Sequence, residues 1–231
     1  MKMYNICFIV LLVLLPPTLS FLTKSSDNSL LAKNSTSGCL NKLTQSEKDQ
    51  ILHMHNYLRS QIALGLVPGF NSSRLMYELL WDPELEELAQ NYMNTNPRIH
   101  NLNRSISSHP QDYIGENVLF NRPGPSRYNL SNGVETWFNE SLHFTGNVSN
   151  FTAEVKKHDD GKIGEFTQLI WAKTVRVGCG IRRCDTLSLI CDYWPGGNTV
   201  GKQIYPLGEP GSKCEYHAFN YEGLCDSAQI A

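Results

Sequence analysis

Side chains able to do chemistry are thinly scattered along this chain of 231 residues. Ser105, Ser107 and Ser108 lie beside His109, residue types that serve nucleophilic attack when a base activates the hydroxyl. No Gly-x-Ser-x-Gly elbow surrounds them, so the sequence does not lead to a serine hydrolase. His143 and the run His158-Asp159-Asp160 lack chelating spacing and read as solvated surface. His55 falls between apolar positions at helical spacing and reads as a hydrogen-bonded core histidine. Trp81, Trp137 and Trp171 read as core aromatics.

Cysteine and asparagine carry a plainer message. Lys2, the apolar stretch Ile6–Leu15 and the small residues Thr18-Leu19-Ser20 form a signal peptide over 1–20, with Pro16-Pro17 ending the run well short of the about 20 residues a spanning helix needs. Cys7 leaves with it. The six that remain are Cys39, Cys179, Cys184, Cys191, Cys214 and Cys225, an even set that in an exported chain implies up to three disulfides with several connectivities open. Seven Asn-x-Ser/Thr sequons, at Asn34, Asn71, Asn103, Asn129, Asn139, Asn147 and Asn150, fit a secreted glycoprotein.

The elements that must position these residues are legible in part. Residues 21–43 are a polar arm without period. Thr44-Gln45-Ser46-Glu47 is a capping box, after which Ile51, Met54, His55, Leu58 and Ile62 recur at helical spacing and Gly65 offers a stop. Asp82 and Pro83 open a second helix, whose Glu84, Glu86 and Glu87 suit its positive end and whose Leu85, Leu88, Ala89 and Tyr92 form a buried face. A short third helix is expected over 132–142. Beyond 165 the period changes, and 166–172, 175–182 and 187–194 read as strands. Helices first and strands later give an α+β domain.

Composition excludes several classes. With 20 Lys+Arg against 22 Asp+Glu, the net charge is −2, and no basic run could meet phosphates, so a nucleic-acid partner is not expected. Mean hydropathy of −0.31 with a single apolar run argues against a polytopic membrane protein and leaves no transmembrane segment in the exported chain.

The stretch Gly164-Glu165-Phe166-Thr167-Gln168-Leu169-Ile170-Trp171-Ala172-Lys173-Thr174, followed by Val177-Gly178-Cys179-Gly180, resembles a signature of the CAP superfamily: cysteine-rich secretory proteins, antigen 5 venom allergens and plant pathogenesis-related proteins. Cys191-Asp192-Tyr193-Trp194-Pro195-Gly196-Gly197-Asn198 resembles its second signature. His55-Asn56-Tyr57-Leu58-Arg59, Trp81-Asp82-Pro83-Glu84-Leu85, Gly115-Glu116-Asn117 and Trp137-Phe138-Asn139-Glu140 also match, in the family's order over about 44–199. The resemblance implies a three-layer α-β-α sandwich, here a CAP domain over 44–206 with a short Cys-containing tail at 207–231. It pairs Cys179 with Cys191 and Cys214 with Cys225, which leaves Cys39 with Cys184.

It also implies a cleft with two His and two Glu able to take a divalent metal such as zinc. Glu116 and Glu140 match the two Glu, and His100 the first His, with His109 as a fallback. Where the second His should precede Phe166, this chain has Glu165. Zinc favours imidazole nitrogen, so a set of His100, Glu116, Glu140 and Glu165 is a weakened site, suited at most to weak divalent binding and requiring no cofactor. If the Asn139 sequon is used, Glu140 can still face inward, because successive helical side chains diverge by about 100°. A sterol or fatty acid, which some relatives bind, would use Cys191, Tyr193, Trp194, Pro195, Gly197 and Asn198, although Asp192 and Thr199 depart from the usual residues.

Two functions therefore stand. The first is a secreted venom allergen 5-like protein, a toxin or salivary component acting as a non-catalytic binding module on an extracellular protein or cell-surface target. The alternative is a metal-assisted hydrolase or peptidase using His100 with Glu116, Glu140 or Glu165, which would have to activate water because no nucleophile stands out.

Overall fold

The computed structural model describes residues 39, 41–123, 129–152 and 163–230. The chain divides into residues 1–36 and a compact unit from Ser37 to Ala231, and all described residues belong to the second. The signal peptide at 1–20, most of the arm at 21–43 and the sequon at Asn34 lie outside the described residues.

Helix α1, Gln45–Ala63, starts where its capping box predicts. The Thr44 hydroxyl accepts from the Glu47 N–H at 3.3 Å, and the Glu47 carboxylate accepts from the Thr44 N–H at 2.9 Å. Gly65, at φ +71°, turns the chain out of it. Strand β1 is the two-residue Leu80–Trp81. Helix α2, Pro83–Asn94, is capped by Asp82, whose carboxylate accepts from Glu84 and Leu85 N–H at 2.8 and 3.0 Å. Strand β2 is Gly115–Pro123. Helix α3, Leu130–Phe138, is capped by Asn129 and runs into a 3-10 turn at Asn139–His143, so the third helix starts and ends earlier than its apolar spacing suggests. Helix α4, Gly164–Leu169, precedes strands β3, Arg176–Arg183, and β4, Thr186–Trp194.

The helix at Gly164–Leu169 corrects the strand expected over 166–172. A short apolar run buried on every side carries no period that separates strand from helix. Phe166, Thr167, Gln168 and Leu169 are all buried, and the two polar members are satisfied, one within the helical turn and one across the fold. Thr167 Oγ1 donates to Ile163 O at 3.0 Å, while Gln168 Oε1 accepts from Gly197 N–H at 2.8 Å. The other two expected strands are β3 and β4. Strands β1 and β2 gave no sequence signal: one is two residues long, and the other mixes polar and apolar side chains on both faces.

The sheet order is β1-β3-β4-β2, with β1 parallel to β3 and the other pairs antiparallel. Helix α2 covers one face through Leu85, Ala89 and Met93, which meet Val175, Ile190 and Trp194. The other face, with Val177, Cys179, Ile181, Leu189, Cys191 and Tyr193, packs in the main core with Ile51, Leu58 and Ile62 of α1, Val134 and Trp137 of α3, and Phe166 and Leu169 of α4. This is the three-layer α-β-α sandwich. Gly178 of β3 is the reason α2 can lie so close. A Cβ there would come within 2.1 Å of the Glu86 backbone nitrogen and 2.5 Å of Asp82 O.

Cys179 and Cys191 face each other across β3 and β4 and are bridged. Cys39–Cys184 ties the segment before α1 to the β3–β4 turn, and Cys214–Cys225 closes a loop in the tail. That tail is stitched to the chain before β1: Cys225 N–H donates to Met76 O at 2.8 Å and Glu78 N–H to Cys225 O at 2.9 Å. His55 is fully buried, as its position predicts. Its Nδ1 lies 2.8 Å from Ile51 O and its Nε2 lies 2.8 Å from the Tyr193 hydroxyl.

Two outcomes follow from this packing. Gly178→Ala forces α2 off the sheet and should lower unfolding free energy by about 1–3 kcal/mol or more, measured by urea denaturation. Burial pushes the His55 imidazole down to about 4, below its unfolded value of about 6.5, so the unfolded chain takes up this proton first. Stability present above about pH 6.5 should be lost as pH falls towards 4, on the order of 3 kcal/mol, and His55→Gln should flatten that part of the pH profile.

Candidate functional site

The cleft lies along the β2 edge, where α4, the segment after α2 and the turn after β4 meet. It is a cavity of about 380 Å³ whose walls include His100, Arg104, Tyr113, Glu116, Phe151, Ile163, Glu165, Gln168 and Asn198. That size falls in the small-molecule range of roughly 300–1,000 Å³.

Glu116 is placed by β2, with its side chain almost wholly buried. Its Oε1 is a crowded acceptor: His100 Nδ1 lies at 2.7 Å, Asn101 N–H donates at 2.9 Å and Arg104 Nη1 at 3.3 Å. Among the described residues its Oε2, which is buried, has no hydrogen-bond partner, and neither do the oxygens of Asp192, the fully buried neighbouring carboxyl across the ladder. Burial, reinforced by the Glu116 charge, holds Asp192 well above the usual carboxylate range.

Glu165 opens α4, which is clamped on both sides. Asn117 Nδ2 of β2 donates to Glu165 O at 2.9 Å, and Asn198 Nδ2 donates to Gly164 O at 2.7 Å. Asn198 sits at φ +54°, a conformation that asparagine tolerates and that aims its amide back at α4. Glu140, on the 3-10 turn, accepts from Phe166 N–H at 3.0 Å, beside Glu165. Burial, then the Glu165 charge, pushes the Glu140 carboxyl up to about 9. Burial also raises Glu165. The two carboxyl groups therefore hold a proton between them at neutral pH. Asn139 is exposed while Glu140 turns inward, as the helical geometry allows.

His100, Glu116 and Glu165 thus meet in one place, with His100 Nε2 4.0 Å from Glu165 Oε1, and Glu140 joins through Glu165. His100 Nδ1 faces Glu116 and its Nε2 faces Glu165, while Glu116 accepts from the Asn101 N–H and Glu140 from the Phe166 N–H. Among the described residues no three His, Cys, Asp or Glu side chains converge to hold an ion.

The fallback His109 lies elsewhere. Its ring stacks on Trp194 at 3.8 Å, and its Nδ1 is 3.0 Å from Ser108 Oγ, which itself donates to Glu84 at 2.5 Å. The carboxylate meets the serine and not the histidine, the reverse of the order that orients a catalytic base. The segment assigned to lipid is divided. Cys191 and Tyr193 are interior, and Trp194 is held between His109 and Asp112. Pro195 and Gly196 line a separate hollow of about 520 Å³ with Trp171, and Asn198 lines the His/Glu cleft. All six described sequon asparagines, 71, 103, 129, 139, 147 and 150, are exposed.

Sequence reasoning missed Arg104, Asn101 and Tyr113, which sit in a segment with no period or motif. Gln168 and Asn198 stood inside quoted motifs, but their role as clamps on α4 and the turn needs the tertiary contacts.

The comparisons with known proteins agree with this fold. Scoloptoxin SSD552 of Scolopendra dehaani is 37% identical over 191 residues, 80% of this chain and 86% of that protein. Venom allergen 3 of Solenopsis invicta is 32% identical over 180 residues, 71% and 74% of the two chains. The crystal structure of NaASP2 with Zn2+ superposes with a TM-score of 0.66 at 28% identity, over 79% of this chain and 96% of that one. Among the described residues no helix is long and apolar enough to cross a membrane. The profile of the cysteine-rich secretory protein family, CAP, matches residues 52–193, and the chain belongs to that family.

Proposed function

We propose that this CAP protein is a secreted, venom allergen-like binding module whose cleft recognises an extracellular partner without turning it over. The observation that carries the reading is the Glu140–Glu165 pair. Where the family places an imidazole, this chain has a carboxyl set beside a second one, both raised by burial, so the cleft offers an acid pair in place of a zinc-loving donor set. Around it stand groups suited to recognition. Tyr113 is exposed with Arg104 over its ring at 5.8 Å, and the exposed Leu102 adds apolar surface. Among the cleft-lining residues there is no Ser, Thr or Cys to act as nucleophile. The relatives named as venom allergens and scoloptoxins, the disulfides and the exposed sequons support secretion. The hollow beside Pro195 and Gly196 is where a sterol or fatty acid would sit.

One geometry favours the enzymatic alternative. His100 is oriented by Glu116 through Nδ1, which leaves Nε2 facing the cleft as a base for water. That reading requires any hydrolytic activity of the protein to vanish in His100→Ala, whereas saturable sterol binding in the hollow beside Pro195 and Gly196 should survive it.

The direct test is calorimetric titration with zinc of the protein and of its Glu165→His variant. The protein should bind zinc at least about tenfold more weakly than the variant. Micromolar or tighter binding by the unaltered protein would make Glu165 a working ligand and return the enzyme reading to the front.

A further inference from the structure

A third cavity, about 370 Å³, is built from parts of the molecule that the His/Glu cleft does not use, and it shares Lys173 with the hollow beside Pro195 and Gly196. Its rim carries Arg74, Lys173 and Lys213, and its apolar walls include Leu75, Ile204 and Pro206. The three cations are exposed. Among the described residues none of them makes an ion pair or a side-chain hydrogen bond, and no carboxylate lines the cavity. In a chain of net charge −2 this is a local excess of positive charge that the fold does not consume.

The backbone beneath these cations is cross-linked. Arg74 N–H donates to Pro206 O at 3.0 Å, Lys213 N–H to Arg74 O at 2.8 Å, and the Ala172 N–H beside Lys173 to Ile204 O at 2.8 Å. Gly208, at φ +149°, completes the arrangement. A Cβ there would press on the Arg74 stem, whose Cβ, Cδ and Cγ would lie at 3.1, 3.3 and 3.5 Å. The three charges are therefore carried on a prearranged frame, which lowers the ordering cost of binding an anion.

Three cations over an apolar hollow select a ligand with two parts. A dianion with several terminal oxygens can engage an Arg fork and two ammonium groups at once, which a single carboxylate does less completely. The wall of Leu75, Ile204 and Pro206 favours an attached hydrocarbon over a free ion. We propose that this cavity binds a small amphiphile whose head is a phosphate monoester and whose apolar body lies on that wall. The site is separate from the His/Glu cleft and does not depend on how that cleft works.

The test is calorimetry on the whole secreted protein with octyl phosphate below its micelle-forming concentration, with octanol and with inorganic phosphate. Octyl phosphate should bind saturably at one site per chain, about tenfold or more tighter than either part alone, and weaken as salt is raised. Arg74→Gln with Lys213→Gln should weaken it by about tenfold or more, and Lys173→Gln alone should weaken it measurably, each with an unchanged melting temperature because the side chains are exposed. Absence of saturable binding, or binding that these variants leave unchanged, overturns the proposal. So does octanol binding as tightly, which would leave only an apolar hollow, or inorganic phosphate binding as tightly, which would leave only an anion site.

Discussion

The organisation of this domain depends on one buried cation. Arg59 of α1 is fully buried, and every guanidinium N–H has a carbonyl to meet. Nε and Nη2 donate to Tyr77 O at 3.0 and 2.6 Å, Nη1 donates to Leu169 O at 2.8 Å and to Trp171 O at 3.0 Å, and Nη2 donates to Thr174 O at 3.2 Å. One side chain thereby ties α1 to the approach to β1, the end of α4 and the lead into β3. Its replacement would strand carbonyls on three segments, at a cost of about 1–3 kcal/mol for each left unsatisfied.

The consequence reaches the cleft because α4 is only six residues long and carries Glu165 at its start. So short a helix has little stability of its own. Arg59 holds its C-terminal end, Gln168 bonds Gly197 and Thr174, and Asn117 and Asn198 hold its first turn. Glu165 is presented to His100 and Glu140 by that scaffold. Beneath it lie the buried Asp192 and the buried oxygen of Glu116, which have no hydrogen-bond partner among the described residues, so the cleft is acidic in depth, with Arg104 the cation beside Glu116.

Much of this was legible in the residues, for identifiable reasons. The capping box at Thr44, the Asp82-Pro83 start and the runs ending in Arg183 and Trp194 are local signals, and local hydrogen bonding realises them. His100, Glu116, Glu140 and Glu165 were reached through resemblance, since they stand on four separate segments that no spacing connects. Other features were not legible. The 166–172 run reads as a strand because it is short and apolar, and its burial on all sides leaves no period to distinguish a helix. Arg59 looked like one residue of a motif, and only the tertiary structure shows the carbonyls it gathers. Gln168, Asn198 and Arg104 act through contacts distant in sequence, where period and propensity are silent.

Arg59 holds α4 in place, and amide hydrogen exchange of an Arg59→Lys variant tests this. Lysine keeps the charge but cannot reach four carbonyls with a planar fork. Protection should fall selectively over 164–172 and the turn at 195–198, while α2 and the β3–β4 pair keep theirs. Unchanged protection in 164–172, or a loss spread evenly over the whole domain, would contradict the central role assigned to Arg59.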